Sequence, residues 1–358
     1  MQITLNTLKL QEAITKSIRG ASNNKMIPIT GLMEINLNNN VFSLVTTDAT
    51  NILKVIEPSI TGENFYAVVQ ADTFSKLVLK TTSDNITLTI KDGNLEFKGN
   101  GVYSIELPLD EEGKPIKFPE FVFDYDSETT TINLALLKFI ILTNKAAIAE
   151  TMERPYLTGY YFGDKVITSN IFKICANDIK IFSQPVLLSS NLVELLSLFN
   201  EETVSIQYVE DKIIFKTNNI MISGTQLEDI EDYPIEAITN YIEDEFTSMC
   251  KIPKKQMLDI LDRLTLFVTV YDKNSICLTF SEEELIINNK KNSGNEVIKY
   301  KETNNAQPFT CFVDIELLKS QVMVQPTETI ELWYGHSKAI KMNFDKTTQL
   351  VALMQDIN

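Results

Sequence analysis

The single histidine, His336, sits in a turn-like stretch, Tyr334-Gly-His-Ser-Lys338, with no second histidine to share a metal or a proton. Alone, it reads as a solvated or capping residue rather than a catalyst. Cys175, Cys250, Cys277 and Cys311 are widely scattered without a Cys-x-x-Cys pair, which suits buried free thiols better than a disulfide framework or a zinc site. No Gly-x-Gly-x-x-Gly or Gly-x-x-x-x-Gly-Lys-Ser/Thr phosphate loop is present, and no His-Glu-x-x-His. Paired acids such as Glu201-Glu202 and Asp110-Glu111-Glu112 fall in polar breaks and are most simply solvated surface. Nothing assembles a nucleophile, a base and an oxyanion site. The residues therefore predict a non-enzyme, with no cofactor and no metal.

What recurs is positive charge. Lys16, Arg19, Lys25, Lys76, Lys80, Lys138, Lys145, Arg154, Lys254, Lys255 and Arg263 fall on or beside expected helices, while the acids gather in linkers and strand turns. One lysine on a helix face is ordinary, but repetition across the chain argues for a shared basic surface. Glu12, Glu194, Asp259 and Asp262 interrupt the pattern. The net charge of −16 argues, taken alone, against nucleic acid; a local basic face can still coexist with it.

The elements that must position these residues come in triplicate. Residues 189–223 read as a short helix, a polar break and two alternating strands, and residues 71–104 and 314–344 repeat that order. Phe97-Lys98-x-Asn100 recurs as Phe215-Lys216-x-Asn218, and Thr203 and Tyr208 recur as Thr329 and Tyr334. The period is domain-sized, which predicts three similar α+β domains, 1–125, 126–245 and 246–358, rather than a solenoid. Each opens with a helix, expected over 5–20, 132–149 and 252–268, with apolar residues at 3–4 spacing and Gly20 as a stop. Strands follow, including 32–37, 41–47 and 156–162, then a second helix, 72–80 in the first domain, and a hairpin. Asp92-Gly93 marks the first hairpin turn. Thr158-Gly159 echoes Thr30-Gly31, and Asp178 echoes Asp48. Residues 109–128 and the acidic run 228–245 read as solvated linkers. Each domain is helix, strands, helix, strands, so six similar units lie in a row. A head-to-tail assembly of such units closes into a ring when its rotation divides the circle.

Composition sets outer bounds. At 358 residues, 44% hydrophobic and 22% charged, the chain is long enough for a core in each third and ordinary for a soluble protein. No apolar run approaches a membrane span, and residues 1–20 lack a secretory h-region, so the cytoplasm is the expected compartment.

The triplication, taken with particular residues, resembles the bacterial sliding clamp, the β subunit of DNA polymerase III. Carrying the resemblance are Lys25-Met-Ile-Pro28, Thr47-Asp48, Arg154-Pro-Tyr-Leu-Thr-Gly159, Ala176-Asn177-Asp178 in place of the family's usual Thr-Asp pair, Asp232-Tyr233, and the terminal strand at 350–353. The match is divergent but runs end to end. It implies a ring-shaped homodimer around double-stranded DNA, with helices lining the hole and these cations facing the duplex. It also implies a processivity factor that tethers the DNA polymerase III catalytic subunit, is placed by a clamp loader, and serves other proteins carrying clamp-binding peptides.

Carried over residue by residue, the family's peptide groove would use Leu157, Asn177, Ile181, Ile235, Val351, Leu353 and Met354. The tail, Leu353-Met-Gln-Asp-Ile-Asn358, departs from the family's Met-Pro-Met-Arg-Leu, and Glu231 stands where proline is usual. For the dimer interface, Tyr103 and Ile105 on a terminal strand are expected to face Leu266 and Phe267 of a second copy. The alternatives are a three-domain protein-binding scaffold, a divergent clamp paralogue without a replicative role, and an enzyme on a repeated fold, which the absent catalytic cluster disfavours.

Overall fold

The computed structural model describes residues 1–110, 112–114, 116–119, 129–209, 211–269, 274–289 and 294–355. The first third runs β1 (Gln2–Asn6), α1 (Thr7–Ser17), β2 (Leu32–Asn38), β3 (Val41–Thr47), β4 (Asn51–Glu57), β5 (Phe65–Gln70), α2 (Ala71–Leu79), β6 (Asn85–Lys91), β7 (Asn94–Lys98) and β8 (Val102–Glu106). The second runs β9 (Thr130–Asn133), α3 (Leu134–Asn144), β10 (Gly159–Phe162), β11 (Val166–Ser169), β12 (Lys173–Asn177), β13 (Val186–Ser189), α4 (Ser190–Leu195), β14 (Thr203–Val209), β15 (Lys212–Lys216) and β16 (Ile220–Thr225). After α5 (Ile235–Glu243), the third comprises β17 (Ser248–Pro253), α6 (Lys254–Thr265), β18 (Ser275–Phe280), β19 (Glu284–Asn289), β20 (Asn295–Lys299), the extra short β21 (Glu302–Asn304), β22 (Phe309–Asp314), α7 (Ile315–Val324), β23 (Thr329–Tyr334), β24 (Ala339–Phe344) and β25 (Thr347–Ala352). Apart from α5 and β21, every third is the same ββ-paired scheme: strand, helix, four strands, helix, three strands.

The residues explain the punctuation. Each opening helix follows a strand directly, and in the first two thirds the strand's last residue caps it: Asn6 accepts from the Lys9 N–H at 3.2 Å, and Asn133 from the Leu136 N–H at 3.1 Å, whereas Pro253 before α6 makes no side-chain cap. Asp314 caps α7 in the same way, accepting from the Glu316 and Leu317 N–H groups. An acceptor here satisfies amides that the first helical turn leaves without partners. The first helix therefore begins at Thr7, and the residues before it form β1, a strand that the amphipathic pattern had absorbed into the helix. Asp92 and Gly93 both adopt positive φ and join β6 to β7 as a two-residue hairpin, as Asn39 and Asn40 join β2 to β3.

Gly20 is not a left-handed stop. It lies in the 3-10 turn after α1, and a Cβ there would stand 2.5 Å from Thr46 Oγ1 and 2.6 Å from Leu53 Cβ. Gly20→Ala should lower stability by about 1–3 kcal/mol through overpacking, read as a drop in thermal midpoint with unchanged circular dichroism.

The chain packs as two compact units. Unit 1 comprises Met1–Leu137 and Asn191–Gln226, and unit 2 comprises Lys138–Ser190 and Leu227–Asn358. Unit 1 holds a four-stranded sheet, β1-β6-β7-β8, and an eight-stranded one, β5-β2-β3-β4-β16-β15-β14-β9. Unit 2 holds a nine-stranded sheet, β13-β10-β11-β12-β25-β24-β23-β17-β21, and a four-stranded one, β20-β19-β18-β22. The long sheets are thus shared between thirds, joined where β4 pairs with β16 and β12 with β25.

In unit 1, α1 and α2 pack on each other and on the sheets; in unit 2, α6 and α7 do the same over a core that includes Ile260, Leu261, Leu278, Leu318 and Ile340. The other face of each long sheet carries a smaller apolar cluster. In unit 1 it joins Leu32, Val45, Ile52 and Val68 to Phe118; in unit 2 it joins Leu157, Ile174 and Leu350 to Tyr233 and Ile238.

Two expectations change. The acidic run 228–245 is not a solvated linker: α5 forms there, and Tyr233 and Ile238 are buried against the sheet. Its apolar residues, Ile235, Ile238 and Ile242, recur at helical spacing and turn the acids outward. Strand 156–162 begins only at Gly159, because Pro155–Thr158 forms a 3-10 turn. Of the other linker, residues 120–128, the expected boundary at 125 among them, lie outside the described residues, as does the tail from 356.

Candidate nucleic-acid interface and partner surface

Six of the eleven expected cations lie at helix C-termini, whereas Lys254 and Lys255 open α6. Lys16 lies in the last turn of α1 and Arg19 in the turn after it; Lys76 and Lys80 close α2; Lys145 follows α3; Arg263 is in the last turn of α6. Positive charge there complements the helix dipole and is worth about 0.3–1 kcal/mol per site at an exposed surface. Structure alone therefore accounts for part of the pattern.

Four of the expected contacts are already engaged. Lys76 pairs with Asp72 at 2.8 Å, Lys255 with Asp259 at 2.7 Å, and Arg263 holds Glu296 bidentately at 2.6 and 2.9 Å. Lys254 corrects the sequence reading more strongly. Its Nζ donates to the Met323 and Gln325 carbonyls at the end of α7, and burial lowers its pKa, so it acts as a helix cap rather than a free surface charge. Arg19, Lys25, Lys80, Lys145 and Arg154 are exposed and Lys16 and Lys138 half-exposed, with no ion pair among the described residues. Lys16 is also close enough to help lower the Glu201 carboxyl: burial raises it, but the Asn200 and Thr217 hydrogen bonds and Lys16 outweigh that effect. Arg19 borders a shallow cleft with Asp48 and Glu194, so the basic surface of unit 1 is mixed in sign.

A repeated turn fixes how the thirds correspond. In unit 1, Thr46 Oγ1 donates to the Ser17 carbonyl at 2.7 Å, Ala49 N–H donates to Thr47 Oγ1 at 3.0 Å, and Ala49 has φ 85°. In unit 2, Thr168 Oγ1 donates to the Asn144 carbonyl at 2.9 Å, Ile171 N–H donates to Ser169 Oγ at 3.2 Å, and Ile171 has φ 79°. Asp48 therefore corresponds to Asn170, and not to Asp178.

That correspondence redraws the expected groove. Leu157 and Ile235 belong to one apolar cluster, but their neighbour on β25 is Leu350; Val351, on the opposite face of that strand, is buried in the other core with Leu353 packed against it. Asn177 is fully buried and donates to Thr347 Oγ1 at 2.8 Å. Leu157, Asn177 and Val351 thus serve packing and are not available as surface, because α5 and the alternation of β25 close over them. Ile181 is half-buried, and Met354 donates its N–H to the Phe312 carbonyl at 2.8 Å.

Exposed apolar residues beside this cluster include Ile171 and Phe172, 53% and 57% accessible, in the β11–β12 turn. The tail runs beside them: Ala352 N–H donates to the Phe172 carbonyl at 2.8 Å, and Leu353 N–H to the Lys338 carbonyl at 2.7 Å. Sequence reasoning missed this pair, although two large apolar residues inside a Ser-Asn-Ile-Phe-Lys turn were a signal, since such turns are normally polar.

A β-branched residue at positive φ is strained by about 1–3 kcal/mol. Ile171→Gly should therefore raise the thermal midpoint by a few degrees. Ile171→Ser with Phe172→Ser should leave the fold intact and weaken any partner peptide seated there by about tenfold or more in fluorescence anisotropy.

Two sheet edges stand out for what the repeat pairs elsewhere. β16, closing the second third, pairs with β4, and β25, closing the third, pairs with β12. β8 closes the first third and β20 corresponds to β4 and β12, yet both are edges with no partner strand among the described residues. Beside them lie Tyr103 on β8, Val297 on β20, and Leu266 and Phe267 after α6, the last two 80% and 50% exposed. Ile105 departs from expectation: it faces the core of its own sheet opposite Leu95 and is only 9% exposed.

Three of the four cysteines are buried. Burial pushes the Cys250 and Cys311 thiols up to about 12 and raises that of Cys175, the opposite of an activated thiolate. His336 lies 3.3 Å from Asp244 and accepts from the Lys338 N–H through Nδ1, shaping a turn. Among the described residues no group of His, Cys, Asp and Glu could hold a metal, and no helix is long and apolar enough to cross a membrane.

No protein-family model matches the chain, and no curated protein matches it. Solved structures match it end to end. It is similar to the DNA polymerase sliding clamp of Bacillus subtilis, with a TM-score of 0.86, 18% identity and 100% of each chain covered. It is similar to the DNA polymerase III β subunit of Thermotoga maritima, with a TM-score of 0.85, 17% identity, and 99% of this chain and 100% of that one covered. The β subunit of Borrelia burgdorferi gives a TM-score of 0.87 at 16% identity, with 100% of each covered. At these identities the likeness is one of fold: the chain has the fold of the bacterial sliding clamps.

Proposed function

We propose that this protein is a sliding clamp, in which each third is a domain and two copies join head to tail around double-stranded DNA. The observation that carries this is the pair of unpartnered edges. Pairing β8 of one copy with β20 of another would repeat the β16–β4 and β25–β12 junctions, and two such contacts would close six domains. A full-length match in fold to sliding clamps supports the same reading.

In this reading the helices and their unpaired cations, Lys16, Arg19, Lys25, Lys80, Lys138, Lys145 and Arg154, face the duplex. Contacts to phosphate carry no sequence information and exchange readily, which suits a protein that must slide. The ring tethers the DNA polymerase III catalytic subunit by topology, and a clamp loader places it. Partner peptides dock beside Ile171, Phe172, Leu353 and Met354, where a few apolar anchors allow exchange between partners. No catalytic role is assigned. Sedimentation equilibrium tests the assembly: a mass twice the chain's 40.6 kDa is expected, and a monomer at micromolar concentration would contradict it.

A scaffold that never binds DNA is the second reading. The ion pairs that occupy Lys76, Lys255 and Arg263 favour it. Absence of duplex binding at low salt would establish it.

A further inference from the structure

Unit 1 carries a counterpart of the Ile171–Phe172 surface, with different chemistry. Beside the equivalent turn opens a cleft of ≈ 290 Å³ whose lining includes Ile29, Ile52, Pro119, Ser223, Thr225 and Lys212. The strand register shows what has changed. Ser223 pairs with Ile52 as Leu350 pairs with Ile174, and Thr225 pairs with Lys212 as Ala352 pairs with Ala339. Aliphatic side chains in unit 2 are thus replaced by two hydroxyls and an amine. Ser223 is 95% buried and lines the cleft.

The charge selects the occupant. Lys212 is exposed and has no ion pair among the described residues, and Lys54, two residues from Ile52, shares its sheet face. The nearby carboxylate of Asp48 is occupied by Thr50 and Asn51, and Glu34, farther along that face, accepts from Asn36. On a chain of net charge −16, two amines without an ion pair among the described residues, beside an apolar floor, fit an acidic ligand. The volume suits one or two side chains, not a domain. β16 is already paired on both sides, so an occupant cannot join as a strand and must bind through its side chains.

We propose that this cleft binds an extended acidic segment of a partner protein, seating an aliphatic side chain against Ile29, Ile52 and Pro119 and a carboxylate on Lys212. The assignment uses unit 1 alone and does not depend on the clamp reading.

Full-length protein labelled at isoleucine δ1 methyls tests it by NMR titration. The probes are acetyl-Asp-Leu-Asp-Leu-Asp-amide, its neutral analogue acetyl-Asn-Leu-Asn-Leu-Asn-amide, and inorganic phosphate. The acidic peptide should shift Ile29 and Ile52. Lys212→Glu with Lys54→Glu should weaken it by about tenfold or more, a change of 1.4 kcal/mol. Ile171→Ser with Phe172→Ser should leave it unchanged. Four results would overturn the proposal: shifts confined to Ile171 and Ile174, equal binding of the neutral peptide, the same Ile29 and Ile52 shifts from phosphate alone, or no shift at Ile29 and Ile52. Unchanged methyl positions elsewhere in the double-glutamate variant separate lost binding from lost fold.

Discussion

Leu266→Asp with Phe267→Asp should yield monomers of 40.6 kDa in sedimentation, with circular dichroism unchanged. Both side chains are largely exposed after α6 and close to the β20 edge, so they add little to their own unit and are free to serve the proposed head-to-tail contact. Apolar anchors at the centre of an interface commonly cost 2 kcal/mol or more when removed, and a carboxylate there must also be desolvated. Two substitutions at each of two junctions weaken dimerisation by more than about 10²-fold. Ile105→Asp is the wrong test of the same idea. That side chain lies in the core of its own sheet, and charging it unfolds unit 1 whether or not β8 is an interface. A dimer of unchanged mass carrying both Leu266→Asp and Phe267→Asp would place the junction elsewhere.

The second large effect is electrostatic. Replacing Lys16, Arg19, Lys25, Lys138, Lys145 and Arg154 by alanine removes six cations that lack ion pairs among the described residues. Each phosphate contact contributes about 0.9 to the slope of log K against log salt, so the slope falls by up to about 5 and low-salt affinity for duplex drops on the order of 10³-fold. Stability falls only modestly, by about 0.3–1 kcal/mol for each of Lys16, Arg19 and Lys145 at the helix ends. Alanine at Lys76, Lys255 and Arg263 has a smaller effect on the slope, since carboxylates already neutralise them. An unchanged slope in the six-site variant would mean that this surface does not meet DNA.

The repeat was legible because it is written in local terms. Helix stripes such as Leu10-Ala13-Ile14, the Asp92-Gly93 turn and the alternation of β6 and β7 are patterns of neighbours in sequence, and they appear where periodicity puts them. β1 was illegible because a short strand that runs directly into a helix shares the helix's apolar residues; only the Asn6 cap marks the change. α5 was masked by the eight acids of the run 228–245, which outweighed three isoleucines at helical spacing. The match of Asp178 to Asp48 failed for a different reason. Matching Asp178 to Asp48 by residue type overlooked that the turn is defined by a hydroxyl and a positive φ, features that Ser169 and Ile171 supply without any aspartate. Which lysines are free could not be read at all, because Lys254 finds its carbonyl acceptors some seventy residues away.

The central claim is topological, and circular duplex tests it most directly. Protein diluted to monomers and reconcentrated with nicked circular plasmid is passed over a sizing column at a salt concentration that abolishes phosphate contacts. The account predicts that it stays with the circle and is released when one restriction cut makes the DNA linear. Equal loss from circular and linear DNA would contradict it.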